Sequence, residues 1–169
     1  TLKLTTSNYL LLTIHRPANV DDKDKMRDYL DAIILNSTIP IIFPVHPRTA
    51  KVIESIGIKN ERLFLTTPLS YLEFNFLTQH AKAVLTDSGG ITEETTVMGV
   101  PCITLRDNTE RPETVEIGTN ELIGTDPKSI KPALEKLFAN EWKKGQIPEL
   151  WDGKTAKRIV NHLIDIMSA

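Results

Sequence analysis

The sequence predicts an α/β fold, a doubly wound and mainly parallel sheet with helices on both faces. Two observations carry the prediction. Short aliphatic runs recur along the chain, separated by segments whose apolar residues fall at helical spacing. The two kinds alternate regularly, as parallel strands joined by crossover helices require. Ligands of such sheets bind beyond the carboxyl ends of the strands, so each loop that follows a strand is a place to look for function.

"YLLLTI" (9–14), aliphatic and flanked by polar residues, is the first strand. Met26, Leu30, Ile33 and Ile34 then lie on one face of a helix over 24–35. "IPIIFPV" (39–45) is the second strand, with Pro40 opening it and Pro44 at its end, where no ladder donor is lost. A short helix over 48–57 stops at Gly57. "RLFLTTP" (62–68) is a strand, "SYLEFNFLTQH" (70–80) a helix and "KAVLT" (82–86) the fourth strand. A helix carrying Glu93 and Glu94 leads to "PCITL" (101–105), the fifth. "NELIG" (120–124) is a short sixth strand. Asp126 before Pro127 is an N-cap with proline at the first helical position, and the next helix aligns Ile130, Leu134, Leu137 and Phe138. A turn-rich stretch precedes a last amphipathic helix over 155–167.

At 169 residues the chain is long enough for one domain with a substantial core and too short for two. A net charge of −2 gives no reason to expect nucleic acid or an anionic membrane as partner, and no apolar run approaches a membrane span. Cys102 is a lone cysteine in an apolar run, which excludes an internal disulfide and fits a reducing, cytoplasmic setting. No cysteine–histidine cluster, Walker lysine or hydrolase elbow appears, so no metal and no cofactor is implied. The opening "TLKL" lacks a methionine and suggests one domain of a longer protein.

The loop after the fourth strand, Asp87-Ser88-Gly89-Gly90, opens a helix. A helix start offers unpaired N–H groups and a partial positive charge, glycines admit close approach, and a serine adds a donor. These are the parts of a phosphate site; a plain Ser88 N-cap with a tight turn is the alternative. Glu94 is placed to accept from both hydroxyls of a ribose, or else, with Glu93, merely complements the helix dipole. After the first strand, His15 and Arg16 can both donate to a diphosphate, and His15 can help it leave; pairing with Asp21 or Asp22 is the rival use. His46 and Arg48 repeat the pattern after the second strand. Of Tyr71, Phe74 and Phe76, one near the loop can flank a base. The charged run 106–114 reads as a polar loop beside the phosphate site, solvated unless its arginines serve it.

"TIHRPAN", "PVHPR", "PLSYLEF", "DSGGITEE" and "RDNTERPETVEIGTN", in this order and spacing, resemble the non-hydrolysing UDP-N-acetylglucosamine 2-epimerases. The resemblance runs from about Tyr9 to the last helix. It implies a Rossmann-like domain matching the C-terminal, nucleotide-binding half of a two-domain GT-B-type enzyme, with the N-terminal domain absent. It also implies that Ser88, Gly89 and Gly90 hold the diphosphate and Glu94 the ribose. Arg16 and Arg111 assist, the Phe74 backbone lies beside the uracil, and His15 lies against the phosphates as the catalytic residue of this half. His46 matches a position that serves a second, activating UDP-sugar in bacterial members. The implied partners are UDP, UDP-N-acetylhexosamine and the missing domain, in a homodimeric protein serving cell-envelope polysaccharide synthesis. The family reaction removes the proton at carbon 2, eliminates UDP and adds it back with inversion at that carbon; its carboxylates belong to the first domain. Ala18 departs from a glutamate found in many members, and Thr92 from a frequent glutamine on what reads as an exposed helix start. The donor half of a UDP-sugar glycosyltransferase and a non-catalytic UDP-sugar sensor are the rival readings, the first disfavoured by Thr-Glu-Arg-Pro-Glu.

Overall fold

The computed structural model describes residues 5–168. Six strands form one sheet: β1 (Leu10–Thr13), β2 (Ile41–Pro44), β3 (Leu63–Thr66), β4 (Ala83–Thr86), β5 (Cys102–Thr104) and β6 (Asn120–Leu122). Their spatial order is β3-β2-β1-β4-β5-β6, and every neighbouring pair is parallel. This is the Rossmann order, in which succession reverses between β1 and β4 and leaves a crevice there.

The helices are α1 (Pro17–Val20), α2 (Lys23–Asn36), α3 (Pro47–Ile56), α4 (Tyr71–His80), α5 (Gly89–Met98), α6 (Pro112–Glu116), α7 (Ile130–Phe138) and α8 (Thr155–Met167). Side chains alternate across β1, which is buried on both faces. Leu10 and Leu12 join Met26, Leu30 and Ile33 of α2, Ile53 of α3 and Leu134 and Leu137 of α7. Tyr9 and Leu11 face the opposite core with Val84, packed by Phe74 and Leu77 of α4 and Ile91 and Met98 of α5. Each fully buried leucine contributes about 1.5–3 kcal/mol. Burial pushes the Cys102 thiol up to about 11, so it is packing rather than a nucleophile.

The predicted strands and long helices are all present. α1 and α6 lie where the sequence read as loop, and each has proline at its start. Asp126 accepts from the Lys128 N–H as predicted, but one tight 3₁₀ turn, Pro127–Ser129, precedes α7. Past α7 the chain straps the outer side of the sheet toward α6: Trp142 Nε1 donates to the Thr119 carbonyl (2.8 Å) and the Gln146 N–H to Ile117 (2.8 Å). α8 is amphipathic as predicted, yet none of its residues is buried; Ile159, Val160, Leu163 and Ile164 are all about half exposed.

Candidate functional site

The loops after β1 and β4 meet at the reversal point, and one carboxylate joins them. Asp87 is fully buried. It accepts from the backbone N–H groups of His15 (3.1 Å) and Arg16 (2.9 Å) and from Asn19 Nδ2 (2.9 Å). His15 Nδ1 lies 3.0 Å from its Oδ1, while the His15 side chain is 59% exposed. The acids proposed as rival partners are used elsewhere: Asp21 pairs with Arg48 (2.7 Å) and Asp22 caps α2. Among the described residues the Arg16 side chain has no ion pair, so neither His15 nor Arg16 is committed to Asp21 or Asp22.

Ser88 starts α5 but its hydroxyl makes no capping bond; the Ser88 N–H instead donates to Thr86 Oγ1 (2.9 Å). A plain N-cap is therefore not what the serine supplies, and its hydroxyl is available beside the unpaired N–H groups of the first turn. The glycines differ. A Cβ on Gly90 would meet nothing within 4 Å, so that position opens outward. A Cβ on Gly89 would lie 3.2 Å from Glu110 Oε2 and 3.3 Å from an Arg106 nitrogen. Gly89 thus makes room for a side-chain pair of the same protein. Glu93 and Glu94 fall in the second turn, not the first, which weakens any dipole role. Thr92, expected at an exposed helix start, is buried and donates to the Gly89 carbonyl (2.6 Å).

The polar run after β5 is not merely solvated. Arg106 is only 5% exposed on its side chain and forks onto Glu110 (2.9 and 2.6 Å), with a further bond to Asn108 (3.0 Å). The guanidinium hydrogen bonds hold the Glu110 carboxyl down at about 2, against an ordinary 4.5. A depressed folded value means that the pair's stabilisation is complete above about 4.5 and is lost as pH falls toward 2. Carboxyl NMR titration should find Glu110 among the last carboxylates to protonate. A midpoint near 4.5 would show that the fork does not persist in solution.

A cleft of about 520 Å³ runs along α5, lined by Tyr71 of α4, Glu93, Glu94 and Met98 of α5, Arg111 at the start of α6, and Trp151. Burial, then the neighbouring Glu93, pushes the Glu94 carboxyl upward. Hydrogen bonds from a diol to the ionised form would oppose that shift. Arg111 is ion-paired with Glu93, which positions its guanidinium at the cleft rim. Phe74 packs its ring into the sheet core, its N–H donates to the Ser70 carbonyl (2.9 Å), and its carbonyl accepts from Thr78 Oγ1 (3.0 Å). Tyr71, not Phe74, is the aromatic ring of α4 on the cleft. Phe76 points elsewhere and packs on His80.

The helix start at Ser88, the carboxylate of Glu94 one turn further on and His15 across the crevice lie along one side of the sheet's reversal point. A family model described as UDP-N-acetylglucosamine 2-epimerase matches residues 1–164. The chain belongs to this epimerase family. It is 41% identical over 164 residues to the UDP-N-acetylglucosamine 2-epimerase of Methanocaldococcus jannaschii, covering 92% of this chain and 44% of that protein. It is 42% identical over 161 residues to a UDP-2,3-diacetamido-2,3-dideoxy-D-glucuronate 2-epimerase of Pseudomonas aeruginosa, covering 92% and 44%. The crystal structure of the M. jannaschii epimerase in complex with UDP-GlcNAc and UDP superposes with a TM-score of 0.78 at 39% identity, covering 95% of this chain and 46% of that one. The chain thus spans somewhat under half the length of its epimerase relatives.

Of the site residues expected of this epimerase-family chain, Glu94 and Arg111 line the 520 Å³ cleft, while His15, Arg16, Phe74, Ser88, Gly89, Gly90 and His46 are not among its lining. His46 caps α3, its Nδ1 accepting from the Arg48 N–H (3.3 Å). Ala18 sits on a separate 340 Å³ cleft with Arg16, Lys25, Arg106 and Asp107. The sequence reading passed over Asp87 as an organising group, Trp151 as a cleft wall and the Arg106–Glu110 fork. An arginine four residues before a glutamate was a visible signal for the fork, whereas nothing local marked Asp87 as buried.

Proposed function

We propose that this chain is the C-terminal, UDP-binding domain of an epimerase that interconverts UDP-N-acetylglucosamine and UDP-N-acetylmannosamine. The observation that carries the reading is the start of α5 at the sheet's reversal point. There the Ser88 hydroxyl is uncommitted, Gly90 is open, and His15 is anchored across the crevice with its ring exposed. A diphosphate at that helix start would be met by N–H groups and dipole together. Arg16, beside Arg106 on the neighbouring cleft, and Arg111, on the rim of the 520 Å³ cleft, are assigned as further cations, and Glu94, one turn along α5, as the ribose acceptor. The M. jannaschii relative, bound to UDP-GlcNAc and UDP, supports the ligand class. The P. aeruginosa relative acts on a different sugar, yet both substrates are UDP-linked and carry an acetamido group at carbon 2. What this half recognises is therefore chiefly the UDP.

In the reaction the bond from carbon 1 to the diphosphate breaks as the carbon-2 proton leaves to a base, giving the glycal; UDP then re-forms its bond to carbon 1 as an acid returns a proton to the opposite face of carbon 2. This chain's task is to stabilise the departing negative charge, a role for groups that bind the transition state more tightly than the substrate. An N-terminal domain of the whole protein would supply the proton-transfer carboxylates. The exposed apolar stripe of α8 supports a further domain, since such a stripe is normally covered. A homodimer, an activating site at His46, a cytoplasmic location and a place in cell-envelope polysaccharide synthesis complete the proposal; no described helix is long and apolar enough to cross a membrane.

Residues 1–169 alone should bind UDP modestly and turn nothing over, because the proposed N-terminal domain would supply the other wall of the cleft. Calorimetry with UDP and an NMR assay with UDP-N-acetylglucosamine check both halves of this expectation; measurable epimerisation would refute it. Glu94→Gln should weaken UDP binding about ten-fold, the loss of part of a charged acceptor's bonds. It should also erase most of the preference for UDP over 2′-deoxy-UDP. Equal discrimination before and after the substitution would remove Glu94 from the ribose. Glu93→Gln is not a silent comparison, since it releases Arg111 from its ion pair.

A further inference from the structure

Asp87 does more than close a loop. Its Oδ1 lies 3.0 Å from His15 Nδ1, and a carboxylate that already accepts three other N–H groups can offer that nitrogen only an acceptor. Nδ1 therefore carries the proton, and in the neutral ring Nε2 is left as a lone pair on the exposed side. A lone pair repels a phosphate oxygen. A ring held by Asp87 can donate to a diphosphate only with a second proton, on Nε2.

We infer that Asp87 is a positioning residue that fixes the His15 tautomer, and that diphosphate binding at the start of α5 draws one proton onto His15 Nε2. The second part rests on the nucleotide-site reading above. The doubly protonated ring then bridges two anions, Asp87 behind and the diphosphate in front, and places a charged donor where the leaving group departs. The other charged groups around this loop are accounted for. Arg16 is the adjacent residue, Arg106 is forked onto Glu110, and Arg48 is paired with Asp21. Among the described residues, Asp87 is the one carboxylate in contact with the ring.

The histidine tautomer is read directly by nitrogen-15 NMR of the unliganded chain at pH 8, where an ordinary imidazole is neutral. His15→Gln identifies the resonance among four histidines. His15 should show the Nδ1–H form, and Asp87→Asn should shift it toward the Nε2–H form preferred by free imidazole. A wild-type Nε2–H form would overturn the role of Asp87. Calorimetry of UDP binding at pH 8, in buffers of different ionisation enthalpy, counts protons. Wild type should take up more protons per UDP than His15→Gln; equal counts would overturn the linkage while leaving UDP binding in place. If UDP does not bind at all, the nucleotide-site reading and its proton uptake both fall, and the tautomer alone decides the role of Asp87. If Asp87→Asn does not fold, the wild-type tautomer and the His15→Gln comparison still decide both parts.

Discussion

Asp87→Ala should destabilise the chain by about 3–5 kcal/mol, from four donors deprived of their acceptor at about 1–3 kcal/mol each, with water reaching some of them. The donors are the N–H groups of His15 and Arg16, Asn19 Nδ2 and His15 Nδ1. Unlike a core truncation, this substitution leaves hydrophobic contacts between helices and sheet in place; its damage lies in the polar joint between β1 and β4. A melting temperature lower by about 10 °C or more should follow for a domain of this size. The crevice should also lose its shape, so the folded fraction should bind UDP more weakly than wild type. A change of under about 3 °C would mean that water replaces the carboxylate at little cost and that the joint is not structural.

Gly145→Ala should be almost as damaging, for a different reason. A Cβ there would lie 2.5 Å from the Gly118 carbonyl carbon, 2.6 Å from the Thr119 nitrogen and 2.8 Å from the Gly118 oxygen. These are backbone atoms and cannot swing aside. The strap must lift, which strains or breaks the bonds from Trp142 and Gln146 to the carbonyls of Thr119 and Ile117. Overpacking against a rigid wall costs about 3 kcal/mol. Trp142 fluorescence should shift toward that of a hydrated indole, and proteases should cut within 139–151. Gly90→Ala is the contrast: its Cβ meets nothing, so stability should hold or rise slightly, alanine being the better helix former. An unchanged strap in Gly145→Ala would show that the approach relaxes without cost.

The strands and long helices were legible because aliphatic runs and helical spacing are local properties. The phosphate-type turn was legible too, since Ser88 and its glycines follow a strand directly. What the sequence could not disclose depends on which strands become neighbours. Asp87 looks like an ordinary polar turn residue until β1 and β4 lie side by side; only then is it sealed under His15, 72 positions away. The 106–114 run looked solvated because its charges are dense, yet Arg106 is buried by Glu110 and by the gap Gly89 leaves for it. The second-turn placement of Glu93 and Glu94 was countable from Ser88. That Glu93 holds Arg111 was not, because it depends on where α6 packs.

The adjacency of β1 and β4 also orders events in time. Leu10 pairs with Ala83 and Thr13 with Thr86, whereas the contacts within β1–β3 and within β4–β6 join shorter stretches of chain. Closing the long loop between β1 and β4 costs more chain entropy than closing either shorter one, and contacts distant in sequence slow folding. Each three-strand half can gather its own crossovers first, and the seam between them closes afterwards. His15, Asp87 and the start of α5 straddle that seam. The machinery for holding a nucleotide is thus complete only once the two halves have docked, because His15 and Arg16 come from one half and the start of α5 from the other.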